Sequence, residues 1–368
     1  MIFLYSDVIY RAGGIETYLH ALALRLHNDN VPFRVVVAEL ESCPLVDELV
    51  ERGIEVYRQR RLPGDRWLVR QHFMLTWLET QLKPGDWVFC VRQPMARLYP
   101  RMVRLVHRHQ ARLAASWMLA PEYLPPVPPH GEKFCQAIAQ TDAVISVSRC
   151  TAHQFKEVYG YTGKVHLVPY HNLPLFQESV PLPAGPPWKI GFIGRLDIKQ
   201  KNLDTLLRAL VPVVQEWQQV ELHLYGGGAD RTQLEALALS LGIKKHVVFH
   251  GAYDHRTQLP QIMANCHFFV CPSRFEGAPF TLLEIMQAGR FCVVARVAGI
   301  PDLYEGFSEV GLLVSPNNLT EISQAIVLTL ERLAHGSIDG NKIRDRYFNG
   351  FDLASAHQAW TSALSPIS

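Results

Sequence analysis

The chain has 368 residues, 48 % of them hydrophobic and 19 % charged, with a formal net charge of +2. That length suits two domains, and that composition excludes a mainly disordered chain. A charge this close to zero gives no overall pull toward nucleic acid or membrane, and no apolar run approaches the roughly 20 residues of a membrane-spanning helix.

The chain begins on a strand, Ile2–Ser6, without the basic start and apolar stretch of a secretory signal. Further strands are expected at Phe33–Glu39, Glu55–Arg58, Trp87–Val91, Arg112–Trp117, Ala143–Ser148 and Val165–Tyr170, where Val, Ile and aromatics concentrate. Helical patterns lie between them near 15–29, 44–52, 67–82, 95–109, 132–140 and 149–159. Strands alternating with helices predict a parallel sheet covered on both faces. Residues 1–172 are read as one domain. The stretch 173–187 carries Pro174, Pro181, Pro183, Pro186 and Pro187, a density that blocks helix and central strand, and reads as a linker.

The alternation restarts over 188–349, with strands at Lys189–Gly194, Val220–Tyr225, Val247–Gly251, Phe268–Cys271, Phe291–Ala295 and Leu312–Val314. Leu203, Leu206, Leu207, Leu210, Val214 and Trp217 form one apolar helix face; Leu319, Ile322, Ile326, Leu330 and Leu333 form another. A last helix at about 350–366, marked by Leu353, Ala356, Trp360 and Leu364, has no strand of its own and is expected to pack back on the first domain. The seven cysteines are odd in number and show no zinc-finger spacing, which reads as buried free thiols in a reducing cytosol.

Ligands of doubly wound sheets bind beyond the carboxyl ends of the strands, so the turns from strand to helix are the places to look. The first ends in Gly13-Gly14, which fits a close ligand approach and a plain tight turn equally well. The second, Gly194-Arg195-Leu196-Asp197-Ile198-Lys199-Gln200-Lys201, carries two cations suited to phosphate, Arg195 as a fork and Lys201 as a point charge. Alone, it also reads as a solvated basic loop. The third is the most informative: Phe275-Glu276-Gly277-Ala278-Pro279-Phe280-Thr281-Leu282-Leu283-Glu284. Pro279 suits a first helical position, and the amides of Phe280, Thr281 and Leu282 would then form an anion-binding helix end. Glu276 precedes the helix, and Glu284 lies five residues into it, roughly 7.5 Å along the axis. Two carboxylates flanking a phosphate site suit hydroxyl recognition. Ala298-Gly299-Ile300-Pro301 and Tyr225-Gly226-Gly227-Gly228 are further glycine-bearing turns.

Together and in this order, these motifs resemble the retaining nucleotide-sugar glycosyltransferases of family 4. Glu276 and Glu284 match that family's pair of glutamates separated by seven residues. Arg195 and Lys201 match its phosphate-binding cations, and Gly13-Gly14 its glycine turn after the first strand. Ser146-Val147-Ser148 and the 298–301 turn look like further landmarks, while His171-Asn172-Leu173 stands where an Asn-Gly pair is usual. The resemblance covers nearly the whole chain and is more specific in the second half. It implies the α/β GT-B fold, with two doubly wound Rossmann-like domains facing a central cleft, residues 1–172 binding the acceptor and 188–349 the nucleotide-sugar donor. It implies transfer of a sugar, with retention of configuration, from a UDP-, GDP- or ADP-sugar to a hydroxyl of a glycan or lipid-linked acceptor, in cell-surface polysaccharide or glycolipid synthesis. Arg195 and Lys201 would neutralise the departing diphosphate, helped by the 277–282 backbone and the Thr281 hydroxyl. Glu276 would hold the transferred sugar, Glu284 the ribose, and Tyr253 would mark the turn where the base stacks. No Asp-x-Asp and no Walker-type loop is present, so neither a metal nor another cofactor is expected.

The family's histidine after a late strand of the first domain is replaced here by Ser116 or Trp117; His107 and His109 belong to the preceding helix and read as surface residues. This departure keeps open a catalytically lost nucleotide-sugar-binding protein, beside a GT-B relative with epimerase or phosphorylase chemistry. Finally, residues 57–112 hold 12 Lys/Arg against 3 Asp/Glu. Arg58, Arg60, Arg61, Arg66, Arg70, Arg97, Arg101, Arg104, Arg108 and Arg112 fit a solvated face or a surface for anionic lipid headgroups. No nucleic-acid motif accompanies them. The location expected is cytoplasmic, peripheral at the inner face of the membrane.

Overall fold

A computed structural model describes residues 1–10, 13–60, 67–92, 98–117, 131–168, 175–277, 279–351 and 353–364. The chain forms two compact units, residues 1–173 with 353–368, and Pro174–Asp352.

Unit 1 holds strands β1 (Ile2–Ile9), β2 (Phe33–Glu39), β3 (Val56–Arg60), β4 (Trp87–Cys90), β5 (Arg112–Trp117), β6 (Ala143–Ser146) and β7 (Val165–Leu167). They form one parallel sheet in the order β3-β2-β1-β4-β5-β6-β7. Its central strands are continuous apolar runs because helices cover both faces. Trp117, Phe155 and Tyr159 pack together, with ring centroids 4.6 and 4.9 Å from Trp117. The terminal helix Leu353–Leu364 belongs to this unit and buries Ala356, Trp360 and Leu364, with Trp360 edge-on to Phe89.

Unit 2 holds β8 (Trp188–Ile193), β9 (Val220–Tyr225), β10 (Val247–Gly251), β11 (Phe268–Cys271), β12 (Phe291–Ala295) and β13 (Gly311–Val314), all parallel in the order β10-β9-β8-β11-β12-β13. The helices Leu203–Glu216 and Leu319–Ala334 bury the two predicted apolar faces, except that Trp217 and Leu319 are only partly covered.

Both sheets reverse direction of winding once, between β1 and β4 and between β8 and β11. Those two switch points are where a doubly wound sheet opens a crevice at its carboxyl edge. Both sheets are thus Rossmann-like, as the alternation of strand and helix predicts.

The predicted elements differ from the structure in a few places. The helices Arg231–Ser240, His255–Asn265 and Gly340–Phe348 were not anticipated. The first buries only Leu234 and Ala238, and Pro260 interrupts the pattern of the second. The helix read near 95–109 spans Tyr99–Arg108, and Arg112 starts β5 as predicted. In the proline-rich stretch, residues 175–187 are held against unit 2 by two buried arginines. Arg290 donates to the carbonyls of Val180, Pro181, Met263 and Cys266; Arg344 donates to those of Phe176, Gln177 and Gln287. Burial pulls the Arg290 guanidinium down to about 10.

Candidate functional site

The loop after β8 and the loop after β11 leave neighbouring strands at the unit 2 switch point. The first runs from Gly194 to a short helix, Ile198–Lys201, capped by the Asp197 carboxylate, which accepts from the Gln200 amide at 2.9 Å. It rests on the glycine turn after β9: the Leu196 amide donates to the Gly227 carbonyl at 2.9 Å and the Gly194 amide to the Tyr225 carbonyl at 3.0 Å. A Cβ on Gly226 would lie 1.9 Å from the Gly194 carbonyl oxygen, and one on Gly228 would lie 2.2 Å from the Leu196 oxygen. Gly226 and Gly228 therefore answer a close approach of two backbones, whereas a Cβ on Gly227 would meet only the Ala252 side chain at 3.7 Å.

Arg274 ties the two loops together. Its amide donates to the Gln200 carbonyl at 2.9 Å, its Nη1 to the Ile198 carbonyl at 2.5 Å, and its Nη2 to Asp204 at 3.1 Å. Asn202, fully buried and left-handed at φ 58°, donates to the carbonyls of Pro272 and Pro316. This bracing brings Lys201 onto Glu276: Lys201 Nζ donates to Glu276 Oε1. The two side chains are 14 % and 7 % exposed, so the pair is largely shielded from water. The ammonium has three donors, and this contact uses one. Cys271, beside the pair, has its thiol pushed up to about 11, by burial first and then by the Glu276 charge, with Lys201 opposing.

Arg195 stands differently. Its side chain is exposed, with Nη2 donating to Gln200 Oε1 at 2.5 Å and Nη1 3.7 Å from Asp197 Oδ2. The loop is in place, and the guanidinium is turned into it.

The helix after β11 spans Phe280–Gln287. Pro279 is its N-cap, at φ −71° and ψ 127°, one position earlier than predicted, and its carbonyl accepts from the Leu282 amide at 3.1 Å. That bond takes one of the three amides expected to face a ligand. Thr281 remains in the first turn with its side chain partly exposed, Gly277 is partly exposed beside the Gly299 amide, which donates to its carbonyl at 3.2 Å, and Ala278 lies outside the described residues.

Glu284 is 3 % exposed on this helix. His255 Nε2 lies 2.7 Å from Glu284 Oε1. The sequence reading missed His255, whose only local signal is the helix cap at Asp254, which accepts from the Thr257 amide at 2.9 Å. Tyr253 precedes that cap. Its phenol is raised well above the usual range, by burial first and then by the Glu284 charge.

In unit 1, Gly13 is extended rather than left-handed, at φ 174°, and precedes the helix that opens at Gly14. A Cβ there would lie 2.5 Å from Glu16 Oε2. Glu16 in turn accepts from the Tyr10 amide at 3.0 Å, so this turn is built around a buried carboxylate. Ser116 and Trp117, at the position of the family histidine, are 0 % and 1 % exposed, and Trp117 is a core residue. His107 pairs with Asp142 at 2.9 Å.

The basic stretch divides. Arg58 pairs with Glu39 and Asp47, Arg70 is buried with Nη1 on the Glu39 carbonyl, and Arg112 lies over the Trp87 ring. Arg60, Arg101, Arg104 and Arg108 are exposed. Arg61, Arg66 and Arg97 lie outside the described residues, as does the 171–173 segment. Among the described residues, no helix is long and apolar enough to cross a membrane.

Residues 187–332 match the family described as glycosyl transferases group 1. A lipopolysaccharide 1,6-galactosyltransferase of Salmonella typhimurium is 29 % identical over 165 residues, which is 44 % of this chain and 45 % of that protein. The chain thus aligns with less than half of that relative's length. A GDP-mannose-dependent alpha-(1-6)-phosphatidylinositol monomannoside mannosyltransferase of Mycolicibacterium smegmatis is 25 % identical, over 89 % of this chain and 88 % of its own. The crystal structure of Anabaena Alr3699/HepE in complex with UDP superposes with a TM-score of 0.79 at 18 % identity, covering 100 % of both chains. Residues 187–332 are a glycosyl transferases group 1 domain, carried in a chain whose two parallel-sheet, Rossmann-like units have the GT-B fold.

Proposed function

We propose that this chain is a retaining glycosyltransferase that moves a sugar from a nucleoside diphosphate sugar to a hydroxyl of a glycan or lipid-linked acceptor, with unit 2 as its donor site. The observation that carries the reading is the Lys201–Glu276 contact at the switch point of a Rossmann-like sheet, with Glu284 buried on the helix that follows. A cation bonded to a carboxylate beside a helix N-terminus suits a ligand that is anionic at one end and rich in hydroxyls at the other. The relatives' names agree with sugar transfer in surface glycans and glycolipids, and the complex of the Anabaena protein agrees with a uridine nucleotide.

In this reading the bond between the anomeric carbon and the diphosphate oxygen breaks, and the electron pair leaves with the diphosphate. Lys201, Arg195 after turning out of its loop, and the first turn of the helix Phe280–Gln287 with the Thr281 hydroxyl neutralise that charge. The protein's own cations suffice, and no metal is invoked. Glu276 accepts from hydroxyls of the transferred sugar, Glu284 from the ribose, and Tyr253 borders the base. The acceptor oxygen forms its bond on the face the diphosphate leaves, and its proton passes to a departing phosphate oxygen, so configuration is kept.

The test is a pair of variants. Glu276→Ala should lose transfer by about 10 to 100-fold, about 1.4–2.7 kcal/mol of transition-state stabilisation, while nucleoside diphosphate still binds. Arg195→Ala with Lys201→Ala should weaken diphosphate binding itself. Full activity in both would refute the site.

Arg101, Arg104 and Arg108 are exposed on one helix, where among the described residues Glu79 of the helix Trp67–Gln81 lies 3.4 Å from Arg108, and they support peripheral contact with an anionic bilayer at the cytoplasmic face. Each is worth about 1 kcal/mol near a charged leaflet. Sedimentation with anionic vesicles that is lost in the triple Arg→Glu variant, and in high salt, is the expected outcome. Equal binding to neutral vesicles would contradict it.

A further inference from the structure

The donor reading leaves one cation of unit 2 without a role toward the ligand. Arg274 stands two residues before Glu276 on the loop after β11, with its side chain 28 % exposed. A guanidinium beside a proposed diphosphate site would ordinarily be counted as a phosphate ligand. Its partners exclude that. Nη1 donates to the Ile198 carbonyl at 2.5 Å. Nη2 donates to the Asp204 carboxylate at 3.1 and 3.2 Å and to the Thr205 hydroxyl at 3.3 Å. Nε donates to Asn317 Oδ1 at 3.3 Å. Each of the three side-chain nitrogens thus has an acceptor in the protein, and the loops after β8 and β13 are tied to the loop after β11.

What the tie holds is the segment that carries Lys201. Lys201 closes the helix Ile198–Lys201, which has only 4 residues. A single turn is marginal alone, and its last carbonyls have no partner further along the same helix. The Arg274 amide donates to the Gln200 carbonyl at 2.9 Å and Nη1 to that of Ile198, so one residue grips the turn at two points. Asp204 anchors the same guanidinium from the first turn of the helix Leu203–Glu216. Two residues beyond Arg274, across the same pair of loops, Glu276 accepts from Lys201. The two contacts are successive rungs between those loops, and the first sets the spacing at which the second forms.

We propose that Arg274 is a positioning residue of the donor site: it binds no ligand itself, and by bracing the turn 198–201 it holds the Lys201 ammonium on Glu276 and so sets the affinity for a diphosphate. The diphosphate rests on the transfer reading above; the hold of Arg274 on Lys201 does not. Charge alone does not suffice, because the planar fork reaches the Ile198 carbonyl and Asp204 together, and the single ammonium of a lysine has no such span.

The experiment uses the full chain labelled with ¹³Cε-lysine, with Lys201→Ala assigning the Lys201 signal and Glu276→Ala marking its position when the ammonium is released. In Arg274→Met and in Arg274→Lys the signal should move to the released position. An unmoved signal in a folded Arg274→Met overturns the proposal. If Arg274→Met does not fold, Asp204→Asn decides, since it removes the anchor of the guanidinium and should move the signal the same way. UDP, GDP and ADP are then titrated into the same proteins. Arg274→Met should weaken the diphosphate that binds the wild type by about tenfold or more, as Lys201→Ala does. Added to Lys201→Ala, it should cost less than about threefold further, because its effect runs through Lys201. An equal loss in both backgrounds would reduce Arg274 to general support of the fold, and full affinity in Arg274→Lys would make it a charge acting at a distance; either overturns the proposal. A moved signal in a protein that binds no nucleotide keeps the hold of Arg274 on Lys201 and defeats the donor reading. An unmoved signal with nucleotide binding intact does the opposite.

Discussion

His255 Nε2 meets Glu284 Oε1 at 2.7 Å, joining the turn after β10 to the helix after β11. Glu284 is buried and His255 is partly exposed, so the histidine fixes which way the carboxylate faces. His255→Ala should weaken nucleoside diphosphate binding by about three- to tenfold, and Glu284→Gln by about tenfold or more, in keeping with hydrogen bonds to charged groups. Calorimetry on the two variants measures this. Tighter binding in His255→Ala would show instead that the histidine competes with the ligand for Glu284.

The Lys201–Glu276 pair makes a prediction about stability. Removing one partner of a shielded pair strands the other charge, which costs about 3–5 kcal/mol when burial is complete and less here, where Lys201 keeps some exposure. Lys201→Met should therefore be clearly destabilised in urea. The double variant Lys201→Met with Glu276→Gln should recover much of the loss. A double variant as unstable as the sum of the singles would mean the two side chains do not act as a pair.

Asp7 predicts a pH signature. Its carboxyl titrates near 6 in the folded chain, against 3.8 for the free group. The folded state therefore holds the extra proton between those values, and the contribution of Asp7 to stability falls as pH rises through that window. The gap is about two pH units at about 1.4 kcal/mol each, or about 3 kcal/mol at neutral pH. Asp7→Asn should thus gain on the wild type by about that amount at about pH 7.5, and by little below about pH 4. Urea unfolding at several pH values reads the difference; a gap that stays constant with pH would contradict it.

Trp117 is expected to behave as core. Trp117→Ala should cost about 3–5 kcal/mol, whereas Trp117→Phe keeps the ring contacts with Phe155 and Tyr159 and should cost less than about 1.5 kcal/mol. Nucleotide affinity in the folded Phe variant should be unchanged. A selective loss of nucleotide binding there would give Trp117 a role at the site.

Much of this architecture is written in short-range patterns. The strands Phe33–Glu39, Arg112–Trp117, Val220–Tyr225, Phe268–Cys271 and Phe291–Ala295 have the bounds read from sequence, because interior parallel strands are largely apolar runs; Val247–Gly251 has them too, as an edge strand with alternate residues exposed. Lys201 and Glu276 were each singled out from the turn that holds them. Their contact was not legible, because it depends on Arg274 bracing one loop against the other across about 70 residues of chain. His255 was hidden for the same reason, as no spacing links it to Glu284. Pro279 shows the limit of position-specific rules: proline fits both the first helical position and the residue before it, and only the backbone angles choose. The three glycines after β9 read as a ligand turn as easily as a simple turn, and two of them, Gly226 and Gly228, prove to meet backbone. What decides is the strand order, which sets that turn against the loop carrying Arg195.

The most direct measurement is thermal stability and calorimetry of the full chain against UDP, GDP, ADP and their common sugars, in wild type and in Arg195→Ala with Lys201→Ala. The account predicts that the diphosphates of one base stabilise the wild type, by about 2.7 kcal/mol at a hundredfold excess over Kd, and that the double variant loses most of that gain. No stabilisation by any nucleotide, or equal stabilisation of both proteins, would contradict a donor site built on Lys201, Glu276 and Glu284.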